Sequence, residues 1–468
     1  MSASRRRALP WCAPERLVDA LLPQLEQPGL VWLDGDGSRL GGQSFLAIDP
    51  QAEVVCRGLP GDRHASDPFS TLAELQADGG HWLGWLGYEA AAWLEPGSHW
   101  RRPAMALLWA MRVDPLLVFD HGARQLWLHG EDGERLEGLG QRLEALIQAL
   151  GDPWDPQPTG PGWPGPPPHL PLNGWHLHAD TDGFAAGVRQ LQDLIAAGDL
   201  FQANLTSCCE QLLLEPLQPA ALLALYQRLR LHCPAPFAGL AIAGAAAAGE
   251  AILSASPERF LRLTGDGLVQ TRPIKGTRPR HGDPLADAEA AAELVSSPKD
   301  RAENVMIVDL LRNDLGRVCR PGSVRVPQLV RLESYSQVHH LTSVVEGQLR
   351  EGLGAAELLR ACWPGGSITG APKIRACQRL NALEPVARGP YCGSLFRLQG
   401  RHNLDSSILI RSLFVQARSL RVHAGCGIVA DSDPQAEAEE LGWKLQPLLQ
   451  AVSGDGPEDS PAMRQPPA

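Results

Sequence analysis

From Thr181 the apolar residues Phe184, Val188, Leu191 and Ile195 fall on one helical stripe, and Gly198 closes it, so the spacing predicts a helix beginning near Thr181. The period then changes. In Phe201-Gln202-Ala203-Asn204-Leu205-Thr206, alternation sends the apolar residues to one face and Gln202, Asn204 and Thr206 to the other, a polar strand face suited to lining a cavity. Further strands are predicted over 251–256, 260–263 and 268–274, the last two joined by the hairpin signal Gly265-Asp266-Gly267. Segment 237–249, mostly alanine and glycine and closed by Glu250, is too short to span a bilayer and is predicted to be a buried strand. Two long helices carry start signals. Ser297 caps one, with Pro298 in the first position and Asp300 in the first turn; Asp433-Pro434 opens the other, which runs through Leu441, Leu445 and Leu448. Unequal blocks of strands and helices joined by hairpins imply an α+β fold.

Two stretches interrupt this pattern. Residues 151–172 are dense in proline and predicted to form an extended linker, and 453–468 resemble a disordered tail, which leaves an N-terminal region over 1–150 and a longer one over 173–452. At 468 residues and 44% hydrophobic, the chain can bury a large core. A formal net charge of -11 removes any electrostatic reason to approach nucleic acid or anionic lipid. Arg5, Arg6 and Arg7 are not followed by an apolar run, so no signal peptide is expected and the chain is assigned to the cytosol. The ten cysteines include no Cys-x-x-Cys pair, which argues for reduced, mostly buried thiols.

The candidate chemistry starts with acids in apolar surroundings. Glu437 lies one turn before Leu441 on a helix's apolar stripe, Glu440 follows on a neighbouring face, and Glu303 precedes Val305, Met306, Ile307 and Val308. An ion pair with an unidentified cation, or a fraying, solvated first turn, is the bland explanation for Glu437; the alternative is that carboxylates on separate helices hold a hard cation such as Mg²⁺. The run from Pro364 to Lys373 has phosphate-loop glycines, but Ala371 and Pro372 stand where a Walker loop needs Lys and Ser or Thr. A nucleotide- or anion-binding module thereby loses its best feature, and the glycines are left to serve close backbone approach. A second glycine turn, Gly425-Cys426-Gly427, offers backbone N–H groups to a carboxylate. Lys275 closes the predicted strand over 268–274, where a lone lysine ordinarily serves solubility.

Six ordered segments change that picture. They are Ser256-Pro257-Glu258-Arg259-Phe260, Pro273-Ile274-Lys275-Gly276-Thr277, RAENVMIVDLLRNDLGR from Arg301, His339-His340-Leu341-Thr342-Ser343, GGSITGAPK from Gly365 and GIVADS from Gly427. Together they resemble the chorismate-utilising enzymes over nearly all of the chain after the linker. Weaker likeness lies in Gly84-Trp85-Leu86-Gly87-Tyr88 and Ser44-Phe45-Leu46. The resemblance implies a four-layer αββα sandwich with the site in a cleft between two sheets, to which the N-terminal region contributes. It implies Glu303, Glu437 and Glu440 as Mg²⁺ ligands, with the metal holding the ring carboxylate of chorismate. Thr369, Tyr391, Arg411, Lys444 and the backbone at Gly425 and Gly427 would hold the substrate, and Glu258 and His340 would transfer protons.

Two positions sort the subfamilies by resemblance. Water-adding members carry a lysine base where this chain has Gln202, and anthranilate synthases carry alanine where it has Lys275, the form similar to aminodeoxychorismate synthases. An anthranilate-forming enzyme is the second reading. Chorismate's C4 hydroxyl is a poor leaving group, and an amine attacking C2 splits one hard substitution into two easier ones. A lysine at its reference value of about 10.4 is neutral only on the order of one part in a thousand at pH 7, so a nucleophilic one needs desolvation or a positive neighbour. Phe396-Arg397 and Cys426 depart from the family pattern and bear on the pocket wall. No strand-helix elbow with a cysteine nucleophile occurs, so ammonia is expected from a separate glutamine amidotransferase subunit.

Overall fold

The computed structural model describes residues 5–25, 27–97, 99–151, 168–335 and 338–453. The fold is α+β, a four-layer sandwich in which two antiparallel sheets pack face to face and helices cover their outer sides. Among the described residues one sheet has 12 strands and the other 10. Period-two alternation explains the layering. In strand Leu30–Asp34, Val31 points into the core shared with Trp85 and Leu395 of the second sheet. Leu30 and Trp32 point the other way, into the core with Leu17 and Leu21 of helix Pro14–Leu21 and Tyr226 of helix Pro219–His232.

Strands from the two ends of the chain are interleaved. Leu30–Asp34 pairs antiparallel with Phe237–Ile242, and His81–Leu86 with Ser394–Gln399, so residues before the proline-rich stretch belong to both sheets. Of that stretch, 152–167 lie outside the described residues, while Leu170 is buried in the core. Residues 454–468 also lie outside them. Ser453, assigned from sequence to a disordered tail, is the buried last residue of helix Pro434–Ser453.

The predicted helix starts are present in detail. Asp180 accepts from Gly183 N–H at 2.8 Å to cap Thr181–Ala196. Ser297 Oγ accepts from Asp300 N–H at 3.2 Å at the head of Pro298–Gly316. Asp433 accepts from the N–H groups of Gln435 and Ala436 before Pro434–Ser453. The hairpin at Gly265-Asp266-Gly267 joins Arg259–Leu263 to Leu268–Thr271, with Gly267 at φ +80.

Three expected elements differ. The strand predicted over 237–249 ends at Ile242, and Ala245–Ala247 form a helical turn before Glu250–Ser256. Strand Gln202–Leu212 leaves Phe201 outside it and 70% exposed. The strand predicted over 268–274 stops at Thr271 and restarts as Ile274–Pro279, because Pro273 has no N–H to give the ladder. Lys275 therefore sits inside a strand instead of closing one.

Candidate active site

Lys275 stands on a bulge. Ile274 pairs with Thr342 and Thr277 with His340, so one extra residue is inserted between them and the half-buried Lys275 leaves the regular ladder. Gly276 makes this possible, with φ +82; a Cβ there would lie 2.8 Å from Leu294 Cδ1 and 2.9 Å from Asp300 Cγ. Charged groups coupled to Lys275 include the carboxylates of Glu258, Glu303 and Glu440, and of the two conditions expected for a nucleophilic lysine, desolvation or a positive neighbour, its half-buried position bears on the first.

Glu258 lies where the chain crosses from strand Glu250–Ser256 of one sheet to Arg259–Leu263 of the other. Its main chain is fixed by Ile408 N–H, which donates to its carbonyl at 3.0 Å. Burial pushes its carboxyl up to about 7, against the opposing pull of the Ser367 side chain, Lys275 and the Ile274 N–H. A carboxyl balanced near neutrality beside an amine is suited to handing over a proton. His340 is different. It is buried opposite Thr277, with Nδ1 2.8 Å from the Thr277 hydroxyl, and burial, assisted by Arg411, drives it down to about 3. The imidazole is thus neutral at pH 7 and cannot serve as an imidazolium donor.

Glu437 is 4% exposed and accepts from the Ser432 hydroxyl at 2.8 Å and the Lys299 amine at 3.3 Å. Lys299, which sequence reasoning missed, is the cation that Glu437's apolar position demanded. Glu440 pairs with Lys444 at 2.7 Å, and Lys444 also donates to the Gly425 carbonyl at 2.8 Å. Glu303 approaches from helix Pro298–Gly316: a Cβ on Gly427 would lie 3.7 Å from both of its carboxylate oxygens and 3.0 Å from Gln202 Nε2. The tight neighbour of that position is Gln202, while Glu303 lies at ordinary contact distance. Burial raises the Glu303 carboxyl, Lys275 and Lys299 oppose this, and Asp300 and Glu437 add to it. Ligand atoms of Glu437, Glu440 and Cys426 lie within 4.8 Å of one another. Burial holds the Cys426 thiol up near 12, and the oxygen members of that group are the carboxyl groups of Glu437 and Glu440. Glu303 lies outside that tight group and faces it electrostatically through Glu437.

The glycine-rich run is not an open anion nest. Gly366–Ile368 form a helical turn, and Gly370–Ala371 pair antiparallel with Gln202 and Ala203. A Cβ on Gly370 would lie 2.3 Å from the Gln202 carbonyl, so close backbone approach is the use of that glycine. Thr369 is fully buried, donates its hydroxyl to Gly365 O at 2.9 Å and accepts from Asn204 N–H at 2.6 Å through its carbonyl. Arg411, at φ +50, lies where the chain crosses from strand Asn403–Ile408 of one sheet to Ser412–Gln416 of the other, and its charge acts on His340. Tyr391 stacks on His423 at 4.9 Å and is buried. Asn304 also escaped the sequence reading. It is buried on helix Pro298–Gly316 and donates to the Leu341 carbonyl at 3.1 Å, which fixes the helix carrying Glu303 against the strand carrying His340. All ten cysteines are free, nine of them buried. No helix among the described residues is long and apolar enough to cross a membrane.

The sequence profile of the chorismate binding enzymes matches residues 32–450. Anthranilate synthase component 1 of Streptomyces coelicolor is 39% identical over 380 residues, covering 79% of this chain and 72% of that protein. Aminodeoxychorismate synthase component 1 of Klebsiella aerogenes is 45% identical over 275 residues, 59% of each chain. Among solved structures, anthranilate synthase component I of Streptococcus pneumoniae superposes with a TM-score of 0.72 at 29% identity, over 88% of this chain and 93% of that one. The menaquinone-specific isochorismate synthase of Escherichia coli, at 19% identity, shares the fold with a TM-score of 0.68 over 97% and 95%.

Proposed function

The chain belongs to the chorismate-binding enzyme family, and from that premise we propose that it is the chorismate-aminating component of an aminodeoxychorismate synthase. The observation that carries this reading is Lys275 on its bulge, coupled to the near-neutral carboxyl of Glu258. In the proposed reaction the neutral Lys275 amine forms a bond to C2 of chorismate, the ring double bonds shift, and the C4–O bond breaks. Glu258 gives the departing hydroxyl its proton, so that water leaves. Ammonia then bonds to C4, the double bonds shift back, the C2–N bond breaks to return the neutral lysine, and the proton shed by the new C4 ammonium restores Glu258. The sum is chorismate plus ammonia to 4-amino-4-deoxychorismate plus water, the precursor from which 4-aminobenzoate and then folate are built. Thr369, Tyr391, Arg411, Lys444 and the backbone at Gly425 and Gly427 are proposed to orient the substrate. A separate glutamine amidotransferase subunit is the proposed ammonia source. Incubation with chorismate, Mg²⁺ and ammonium, followed by identification of the product, tests the reading: anthranilate alone as product would assign the chain to the other aminating branch.

Glu303, Glu437 and Glu440 would hold Mg²⁺, which when bound would neutralise these acids and anchor the ring carboxylate. The carboxyl of Glu303, raised by burial and further by Asp300 and Glu437, and the neighbouring oxygens of Glu437 and Glu440 on one helix support such an ion. Removal of divalent ions by EDTA is expected to lower turnover by roughly 100-fold or more, with recovery on adding Mg²⁺. Full turnover in chelator would overturn the metal assignment.

Gln202 is 1% exposed, and its Oε1 finds no hydrogen-bond partner among the described residues. A carboxamide cannot take a proton from water at neutral pH, so hydroxylation at C2 lacks a base. Chorismate incubated with the enzyme and Mg²⁺ but no ammonia is therefore expected to yield neither isochorismate nor salicylate by chromatography. Either product at a rate comparable to amination contradicts the branch assignment.

A further inference from the structure

We propose that Arg388 is a positioning residue for the chorismate site, a buried guanidinium that ties the loop bearing Thr369 to the strand bearing Gln202 and Asn204. The proposal rests on the reading of Thr369 as a substrate ligand. Arg388 is 2% exposed, and its fork reaches three chain segments. Nη1 donates to the Ile368 carbonyl at 2.8 Å, next to Thr369, and Nη2 donates to the Asn204 carbonyl at 2.7 Å. Nε and Nη2 also donate to the two oxygens of Glu384, at 2.9 and 2.6 Å. Glu384 in turn accepts from Thr206 N–H at 3.1 Å on the same strand.

The arrangement closes a ring. The Thr369 loop leads into helix Lys373–Leu383, the helix ends on Glu384, and Arg388 reaches back from there to the loop and the strand together. Asn204 N–H to Thr369 O, at 2.6 Å, is the direct link that the guanidinium supports on both sides. Such bridging needs rigid planar donors pointing in several directions; a lysine ammonium at the same place is one compact charge and cannot hold both carbonyls and the carboxylate at once.

A second acid belongs to the cluster. Glu89, fully buried in the N-terminal region, accepts from the Arg388 N–H at 2.8 Å, and its other oxygen has no hydrogen-bond partner among the described residues. Burial pushes it up to about 8, against the pull of backbone N–H groups and the Arg388 charge, and the guanidinium itself pairs with Glu384. The guanidinium also lies over the Tyr88 ring at 4.5 Å. Through these contacts the N-terminal region bears on the substrate loop, with no group of its own in the chemistry.

The full-length variants Arg388→Lys and Glu384→Gln test this, the second retaining side-chain shape and carrying the test alone where the first does not fold. Hydrogen exchange without substrate is expected to speed up at least roughly tenfold in the segments 202–206 and 365–373, and to stay unchanged in helix Pro298–Gly316. KM for chorismate is expected to rise roughly tenfold while kcat changes by no more than about twofold. A merely structural pair would lower Tm and the active fraction, and KM is insensitive to both. Unchanged exchange in those segments, or unchanged KM at a lowered Tm, would overturn the inference. The exchange readout needs no turnover, so it separates failure of the tie from failure of the proposed reaction, which wild-type product analysis reads.

Discussion

Replacing Lys275 by alanine is expected to abolish formation of 4-amino-4-deoxychorismate, a loss of roughly a thousandfold or more, equivalent to about 4 kcal/mol of transition-state stabilisation. Glu258, Glu303 and Glu440, the carboxylates coupled to Lys275, are not amine nucleophiles, and the neighbouring amines Lys299 and Lys444 are held in ion pairs with Glu437 and Glu440. With the wild-type enzyme, chorismate supplied without ammonia should leave a fraction of the protein heavier by dehydrated chorismate. Peptide mapping should place that mass on the segment containing Ile274 to Thr277, and the alanine variant should lack it. Because the bulge is set by the backbone and Gly276, the substitution is not expected to disturb folding, and Tm serves as the control. In the variant ammonia retains access to C2, so slow release of a C2-aminated product would agree with the scheme. Near-normal C4 amination by Lys275→Ala would reduce the lysine to an electrostatic neighbour and remove the covalent step.

Much of the local structure that positions this lysine was legible because it depends on short-range rules. Ser297 before Pro298, Asp433 before Pro434 and Gly265-Asp266-Gly267 each predict an element that the structure contains, since caps and tight turns are decided within a few residues. The bulge at Lys275 was missed although its signals were present. Pro273 cannot donate to a ladder, and Gly276 marks a left-handed residue, yet the predicted strand ran through Pro273 and ended before Gly276. Interleaving of the N-terminal strands was not legible from periodicity, because pairing Trp32 with Leu240 or Trp85 with Leu395 is a matter of long-range register. The acids of the site were found from their awkward placement on apolar faces. Their partners were not: Lys299 sits at an exposed position of helix Pro298–Gly316 and meets Glu437 of helix Pro434–Ser453 only in the folded chain, whereas Glu440 and Lys444 are an i,i+4 pair on one helix that spacing alone could have shown. Arg388 and Glu384 form an i,i+4 pair that looks in sequence like any surface ion pair, and burial is what gives it reach to Ile368 and Asn204.

Glu258→Gln is the complementary substitution, because the carboxyl it removes is expected to affect activity and stability in opposite directions. As proton donor to the departing hydroxyl, Glu258 must be protonated, and burial holds it near 7. Wild-type kcat/KM should therefore fall on the alkaline side with an apparent value of about 7. The glutamine variant should be slower by roughly 10²- to 10⁴-fold at neutral pH and should lack that alkaline limb. For stability the sign follows from linkage. The folded carboxyl titrates near 7 and the unfolded one near its usual 4.5, so the folded state binds the extra proton between those values. Stability from this group is fully present below about pH 4.5 and is lost as pH rises through about 7, a change on the order of 3 kcal/mol. Glutamine is neutral at every pH and escapes that loss. Relative to wild type, Glu258→Gln should thus gain unfolding free energy as pH moves from 5 to 8.5, read from denaturant titrations, while its turnover stays low throughout. A glutamine variant with near-wild-type turnover would transfer the proton role elsewhere, and His340, neutral and held near 3, could not take it as a donor.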